Sequence, residues 1–324
     1  MPPELPFLTL RPWLRATFGR DVYRVALDAG STCPNRDGAK GFGGCVYCDV
    51  EGSGTGALRT GVELTGQMER GLKRIARREA GCAVIAYFQS YSNTYVEIDR
   101  LRQVLSVVEP YLEGGAALQG RPPVVAVSLA TRPDTLPDEA LDVLAELAER
   151  VPVWVELGLE AADDRVLEEI RRFHTVAEFE EAVRRSQQAG LTVIGHAILG
   201  LPGDGREGAR RTADALARSG VEGVKVHNLL VLRRTQLEKS WRAGELELLD
   251  APTYVDWLAD FIERLHPDQV LHRMTADAPE EEKLAPLWDV AKNRVKDLVA
   301  AELERRGTRQ GSRLGEASGV RTSR

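Results

Sequence analysis

Apolar residues recur along this chain in two alternating rhythms. Tyr23–Leu27, Cys82–Phe88, Val124–Leu129, Val153–Leu159, Thr192–Leu199, Val224–Val231 and Val270–Leu271 are short runs, largely apolar along their length, that read as strands. Between them the apolar positions fall three and four apart. Glu63–Arg78 puts Leu64, Met68, Leu72, Ile75 and Ala76 on one helical face. The same period runs through Glu97–Val108, the segment that Pro137 opens at a first-turn position, Asp164–Ile170, Val176–Ala189 with Gly190 as its C-cap, Arg206–Arg218 and Pro252–Leu265. Strands that are apolar on both faces belong to parallel sheets covered on both sides, and alternating β and α elements imply right-handed crossovers. The pattern predicts an α/β fold, a partial or complete (β/α) TIM-type barrel of parallel strands.

Length and composition set the limits of this picture. A chain of 324 residues with 43% hydrophobic content can bury one large core of that kind. Residues 1–22 are expected to pack on the barrel as an N-terminal segment, and 23–304 to form the barrel with a C-terminal helical extension. Residues 305–324 carry six arginines against one acid, with hardly any apolar side chains, and are expected to be a disordered tail. A net charge of -6 excludes a generally basic nucleic-acid coat but leaves room for a local basic patch. The first residues, MPPELPFLTLRPWLR, lack a basic leader, and their apolar run is too short for a signal peptide or membrane span. The expectation is a soluble cytoplasmic protein with no membrane partner.

Chemistry is concentrated after the first strand. Three of the four cysteines, Cys33, Cys45 and Cys48, fall within sixteen glycine-rich residues, CPNRDGAKGFGGCVYC. Such clustering is unlike a secreted disulfide framework and suits a reducing compartment. Cys45 and Cys48 have a metal-chelating spacing, Cys33 adds a third thiolate with eleven residues between it and Cys45, and no fourth ligand follows nearby. Three thiolates suit a [4Fe–4S] cluster with one open iron; a zinc loop completed by a distant His or Asp is the competing assignment. Gly38, Gly41, Gly43 and Gly44 would let the backbone wrap tightly and turn N–H groups toward cluster sulfurs, and Tyr47 would shield the cluster from water. Cys82, inside the second strand, reads as a small buried hydrophobe.

With this loop stand FQSYSNTY (Phe88–Tyr95), SLATRPD (Ser128–Asp134), ELGLE (Glu156–Glu160), ILGLPGD (Ile198–Asp204) and KVHNLLVLRRTQL (Lys225–Leu237). Together these segments resemble the radical S-adenosylmethionine superfamily, in particular the bacterial YhcC-like family related to the catalytic subunit of Elongator, from about Leu8 to about Leu303. Most superfamily members have three residues between their first two cysteines; the eleven found here are the mark of this subgroup. The resemblance implies that the open iron binds the amino and carboxylate groups of S-adenosylmethionine. One electron, from an external donor of flavodoxin or ferredoxin type, then yields a 5′-deoxyadenosyl radical that abstracts a substrate hydrogen atom. A closed interior would protect that radical.

In α/β barrels the site lies at the C-terminal ends of the strands. Gln89, Ser90, Ser92, Asn93 and Thr94 follow the second strand and are candidates for holding the cofactor's amino acid part, with loop capping as the alternative. Ser128, Thr131 and Arg132 end the third, where a guanidinium would clamp the cofactor carboxylate. Glu156 lies in an apolar strand and needs a partner: by resemblance the cofactor, otherwise an ion pair with Arg171 or Arg172. His174 and His196 are either structural or ligating. The turn from Gly200 to Gly205 would approach adenine through its backbone, as the resemblance implies. Lys225, His227 and Asn228 lie where substrate would enter, and Arg233 and Arg234 would meet an anionic one; a surface lysine and a structural histidine are the plain alternatives. Kinship to Elongator points to a transfer-RNA wobble uridine as substrate. A small molecule or peptide, and a zinc-stabilised binding protein without radical chemistry, are the other readings.

Overall fold

The computed structural model describes residues 5–49, 61–118, 120–276 and 278–316. Seven parallel strands follow one another across a single sheet: β1 (Val22–Leu27), β2 (Ala83–Phe88), β3 (Val124–Thr131), β4 (Val153–Glu160), β5 (Thr192–Leu199), β6 (Gly223–Asn228) and β8 (Val270–Arg273). The sheet curls into an open α/β half-barrel. The N-terminal segment lies along its last edge, where the Leu271 N–H donates to the Leu8 carbonyl at 2.9 Å, so that edge is not left bare. Crossover helices cover the outside: α2 (Leu64–Ala76), α3 (Ile98–Ser106), α4 (Asp138–Ala148), α5 (Asp164–Glu169), α6 (Val176–Gln188) and α7 (Gly205–Arg218). Pro137 takes the N-cap of α4, one position before the helix.

Alternation along each strand separates two interiors. Val84, Ala86, Phe88, Val127, Leu129, Val155 and Leu157 face outward into the main core with the helices. The inward positions Ile85, Ala126, Trp154 and Ile194 form a smaller cluster with Leu14, Leu10, Trp13 and Phe18 of α1 (Leu10–Phe18). Trp13 meets Trp154 edge to face at 6.0 Å. Helix α1 therefore plugs the N-terminal end of the barrel and leaves the other end for chemistry. Leu14 is almost completely buried in this plug, and Leu14→Ala is expected to cost about 2–3 kcal/mol as a partly collapsed cavity. Urea denaturation checks it, and an unchanged midpoint would show that α1 is not part of the folded core.

Three expectations from the sequence are corrected. The apolar run Val224–Val231 is not one strand: β6 ends at Asn228, whose side chain accepts the Ala276 N–H at 2.9 Å, and β7 (Val231–Leu232) pairs antiparallel with β9 (Lys283–Ala285) in a separate ribbon. Helices α1 and α8 (Gln236–Arg242) were not foreseen, because α1 hides its period behind Pro12 and α8 is only seven residues long. The Arg-rich segment is ordered over its described part, 305–316; residues 317–324 lie outside the described residues.

Acids of neighbouring helices explain that order. Arg306, at the end of α10 (Lys292–Arg306), pairs with Asp256, with Asp260 at 2.8 Å and Glu263 at 3.3 Å on α9 (Ala251–Arg264), and with Glu302 at 2.7 Å. Arg313 reaches the fully buried Glu263 at 3.0 Å. Gln310 accepts the Leu8 N–H and donates to the His266 and Gln269 carbonyls, tying the two ends of the chain together. These arginines are consumed by the fold and are not a free phosphate grip.

Candidate functional site

The cysteine loop leaves β1 at the open end of the barrel and is held by its own backbone. The Gly38 N–H donates to the Gly41 carbonyl, Gly41 to Pro34 and Gly44 to Asn35 at 2.8 Å. These three amides are spent inside the loop, contrary to their expected role toward a cluster. Gly43 and Gly44 both take positive φ, a backbone conformation that favours glycine there. The buried Asn35 amide donates to the Arg171 carbonyl at 2.6 Å and the Arg172 carbonyl at 3.2 Å. Val46 N–H donates to Ile170, and Leu237 N–H to Val46, which fasten the loop between the α5–α6 turn and α8.

Cys33, Cys45 and Cys48 line one cavity of about 310 Å³, together with Tyr47, Gln89, Arg132, Glu156, His196, Lys225 and His227. The half-barrel thus gathers residues that stand up to 194 positions apart in the chain, from Cys33 to His227. All three thiols are free, and two donors aim at Cys45 Sγ, the Asn35 amide at 3.5 Å and the Arg172 guanidinium at 3.9 Å. Donors of this kind stabilise negative charge on a ligating sulfur. Burial, then the neighbouring Cys45, pushes the Cys48 thiol up to about 12.

Around the thiols the charges are matched. Arg132 grips Asp134 with two bonds of 2.9 Å and donates to the Arg172 carbonyl at 2.6 Å. Burial alone would raise the Asp134 carboxyl, but Arg132 and Lys40 hold it at about 2. Among the described residues, one Arg132 nitrogen, Nη1, and the Tyr47 hydroxyl are buried without a partner. Arg172 lies 3.5 Å from Glu160, a residue with φ of +68° at the bulged end of β4.

Deeper in the barrel lies a second group. Glu156 is 2% exposed, accepts the Ser128 hydroxyl at 2.6 Å and His196 Nε2 at 3.0 Å, and pairs with Lys225, which is 1% exposed. Burial would raise the Glu156 carboxyl, but Lys225 and His196 hold it well below the usual range. The Lys225 ammonium is driven down to about 7 by burial, and Arg24 and Arg273 add to the effect while Glu156 opposes it. Its nitrogen sits 4.4 Å from the Tyr87 ring centroid. His227 leans on His196 at 5.5 Å, and among the described residues its buried Nε2 has no partner.

Of the other residues expected at the site, Ser92, Thr131 and Asn228 also line the cavity, whereas Ser90, Asn93, Thr94, Ser128, His174, Gly200, Arg233 and Arg234 do not. Asn93 is spent on the backbone, donating to the Phe88, Ser90 and Ala130 carbonyls. Ser128 points inward but serves Glu156. Gly200, at φ +90°, packs against Leu249. Arg233 is exposed and bonds the Glu281 carbonyl at 2.7 Å, while Arg234 pairs with Glu282. The partner of Glu156 is neither Arg171 nor Arg172 but Lys225, which is no surface lysine. Sequence reasoning passed over Arg24, Arg273 and Tyr87; a charge inside an otherwise apolar strand was the available signal for the two arginines.

The loop can be tested against a cluster and against zinc. A single zinc needs its ligands converging on one point, whereas the cysteines of a [4Fe–4S] cluster each bind a different iron and stand apart. Among the described residues no three His, Cys, Asp or Glu side chains converge on one ion. Free thiols along one cavity, with amide and guanidinium donors on sulfur, fit the cluster better.

The profile described as the radical SAM superfamily matches residues 32–216, and that of the Radical_SAM C-terminal domain matches 221–305. The uncharacterised protein YtqA of Bacillus subtilis is 38% identical over 320 residues, covering 98% of this chain and 96% of its own length. Protein YhcC of Escherichia coli is 33% identical, with 93% of each chain covered. A tRNA uridine(34) acetyltransferase of Methanocaldococcus jannaschii is 28% identical over 124 residues, 37% of this chain and 22% of its own. Among solved structures, the archaeal Methanocaldococcus infernus Elp3 with an N-terminal deletion matches in fold with a TM-score of 0.69 at 17% identity, over 89% of this chain and 64% of that one. Among the described residues no helix is long and apolar enough to cross a membrane.

Proposed function

The chain belongs to the radical SAM superfamily, and from that premise we propose that it is an iron–sulfur enzyme in which Cys33, Cys45 and Cys48 hold a [4Fe–4S] cluster beside S-adenosylmethionine. The observation that carries this reading is the gathering of three free thiols and the unpartnered Arg132 Nη1 and Tyr47 hydroxyl along one cavity. When bound, the pair supplies single-electron chemistry: reductive cleavage of the sulfonium and removal of a hydrogen atom from the substrate. Arg132 offers its free nitrogen to the cofactor carboxylate, with the guanidinium already oriented by Asp134. Tyr47 covers the loop, Arg172 and Asn35 carry the sulfur charge, and the plug of α1 keeps water out from below. Gln89 is a further candidate for the cofactor's amino acid part. The electron comes from an external donor of flavodoxin or ferredoxin type.

For the substrate, we propose a transfer-RNA wobble uridine side chain, supported by the named activity of the partial M. jannaschii relative. Two measurements test these steps separately. Anaerobic reconstitution should give a brown protein with about four irons per chain, as a [4Fe–4S] cluster requires, and cleavage of S-adenosylmethionine under reductant; a colourless protein retaining one zinc would overturn the enzyme. Nucleoside mass spectrometry of tRNA from cells with and without the gene should show one wobble-uridine species lost. Identical profiles would move the substrate to a small molecule or peptide.

A further inference from the structure

Among the described residues the cavity carries more positive charge at its floor than carboxylates neutralise. Around the cysteines every arginine has a counterpart: Arg132 has Asp134, Arg172 has Glu160, and Arg36 donates to the Cys48 and Asp49 carbonyls. Below them stand Arg24 of β1, Lys225 of β6 and Arg273 of β8, and the carboxylate that faces them is Glu156 of β4. Glu156 is committed to Lys225, His196 and Ser128. Among the described residues neither Arg24 nor Arg273 has a carboxylate partner, and Arg24 Nη2 is buried with no hydrogen bond. Arg273 lines the cavity, as does His227 with its unpartnered Nε2. Arg24 does not itself line the cavity; its guanidinium lies 5.9 Å from the centroid of the Tyr87 ring, which does, so it adds positive charge from behind that ring. A guanidinium such as Arg273 in a shielded space attracts an oxyanion more strongly than it would in water.

We propose that the barrel floor is an oxyanion subsite in which Lys225 and Arg273, reinforced by the charge of Arg24 behind Tyr87, receive a carboxylate or phosphate group carried by the substrate, with His227 Nε2 as an additional hydrogen-bond donor. The inference rests on the proposed function only in calling that group part of the substrate; the anion site itself follows from charge and burial. An arriving anion favours the charged ammonium, so binding is accompanied by proton uptake at Lys225 and weakens as pH rises from 7 to 9. The other groups facing this ammonium do not reverse the trend. Glu156 is ionised throughout, His196, His227 and His272 are neutral because burial lowers them, and burial raises Tyr87.

Isothermal titration of the reconstituted full chain with malonate and with inorganic phosphate, in the presence and absence of saturating S-adenosylmethionine, tests the site. Saturable one-site binding of at least one probe is expected, undisturbed by S-adenosylmethionine and at least tenfold weaker in Arg273→Gln. Arg24→Gln should behave likewise should the first variant fold poorly. The stronger probe identifies the group as carboxylate or phosphate. No saturable binding, equal affinity in a folded variant, or displacement of the probe by S-adenosylmethionine would each overturn the subsite. Iron content and cofactor cleavage of the wild type are read independently. Arginine-dependent anion binding without iron would leave the subsite standing and remove the radical chemistry, and the converse would do the opposite.

Discussion

Cys45→Ala is expected to abolish cluster incorporation, taking reconstituted iron from about four per chain to near zero and S-adenosylmethionine cleavage to background. Cys45 is the thiol that the protein surrounds most closely, with the Asn35 amide and the Arg172 guanidinium both directed at its sulfur. Removing it leaves two of the three proposed ligands on a loop whose backbone is otherwise self-bonded, so the fold should persist while iron binding is lost. Cys82→Ala is the matched control. Its thiol donates to the Glu79 carbonyl at 3.1 Å within the main core and lies outside the cavity lining. Iron analysis of the two variants decides the matter, and loss of iron in Cys82→Ala would show the ligand assignment to be wrong.

Glu156→Gln should give the second largest effect, and its size changes with pH in a defined way. Breaking a buried ion pair leaves an uncompensated charge at a cost of about 3–5 kcal/mol. Here that charge can be discharged. Lys225 has its folded value lowered to about 7 from the ordinary 10.5, so between those limits the unfolded chain holds the proton more tightly and stability rises with pH. Below 7 both states are protonated and the burial penalty is fully present. Glu156 is depressed instead; its contribution is present above the unfolded carboxyl value and is lost only as pH falls through the folded one, below the window considered. The variant should therefore be less stable than the wild type by about 3 kcal/mol at pH 6, and that deficit should shrink by about 1.4 kcal/mol at pH 9, where the lysine is neutral and the one proton it gives up near pH 7 no longer counts. Guanidinium denaturation at the two pH values measures this. An equal deficit at both would mean that the Glu156–Lys225 charge pair is not what the substitution removes.

Most of the barrel was legible because its signals are local. Strands β2 to β5 begin and end within two residues of the runs seen in the sequence, since a strand buried on both faces must be apolar throughout and the helix that follows must show a 3.6-residue period. The misjudged places are those where a distant partner decides. Nothing in VKVHNLLVL marks a break at Asn228; the break exists because residue 276 claims that side chain and β9 claims Val231. Composition likewise made 305–316 look disordered, and acids from α9 order it.

The candidate site divides in the same way. By itself the sequence determined the parallel α/β class, the three thiols and their loop, and the polar residues at the strand ends, because strand alternation and ligand spacing act over a few residues. Only the tertiary structure decided which of those polar groups share a cavity. Asn93 and Gly200 turned to the backbone and to Leu249, Arg233 joined an outer ribbon, and Lys225 became the buried partner of Glu156 from 69 residues away. Curling of the sheet brings the inward faces of β1, β4, β6 and β8 around one space, and that convergence leaves Arg24 and Arg273 without a described carboxylate partner below the cysteine loop. Charge balance in a buried space is a sum over neighbours, and the chain order of those neighbours carries no record of it.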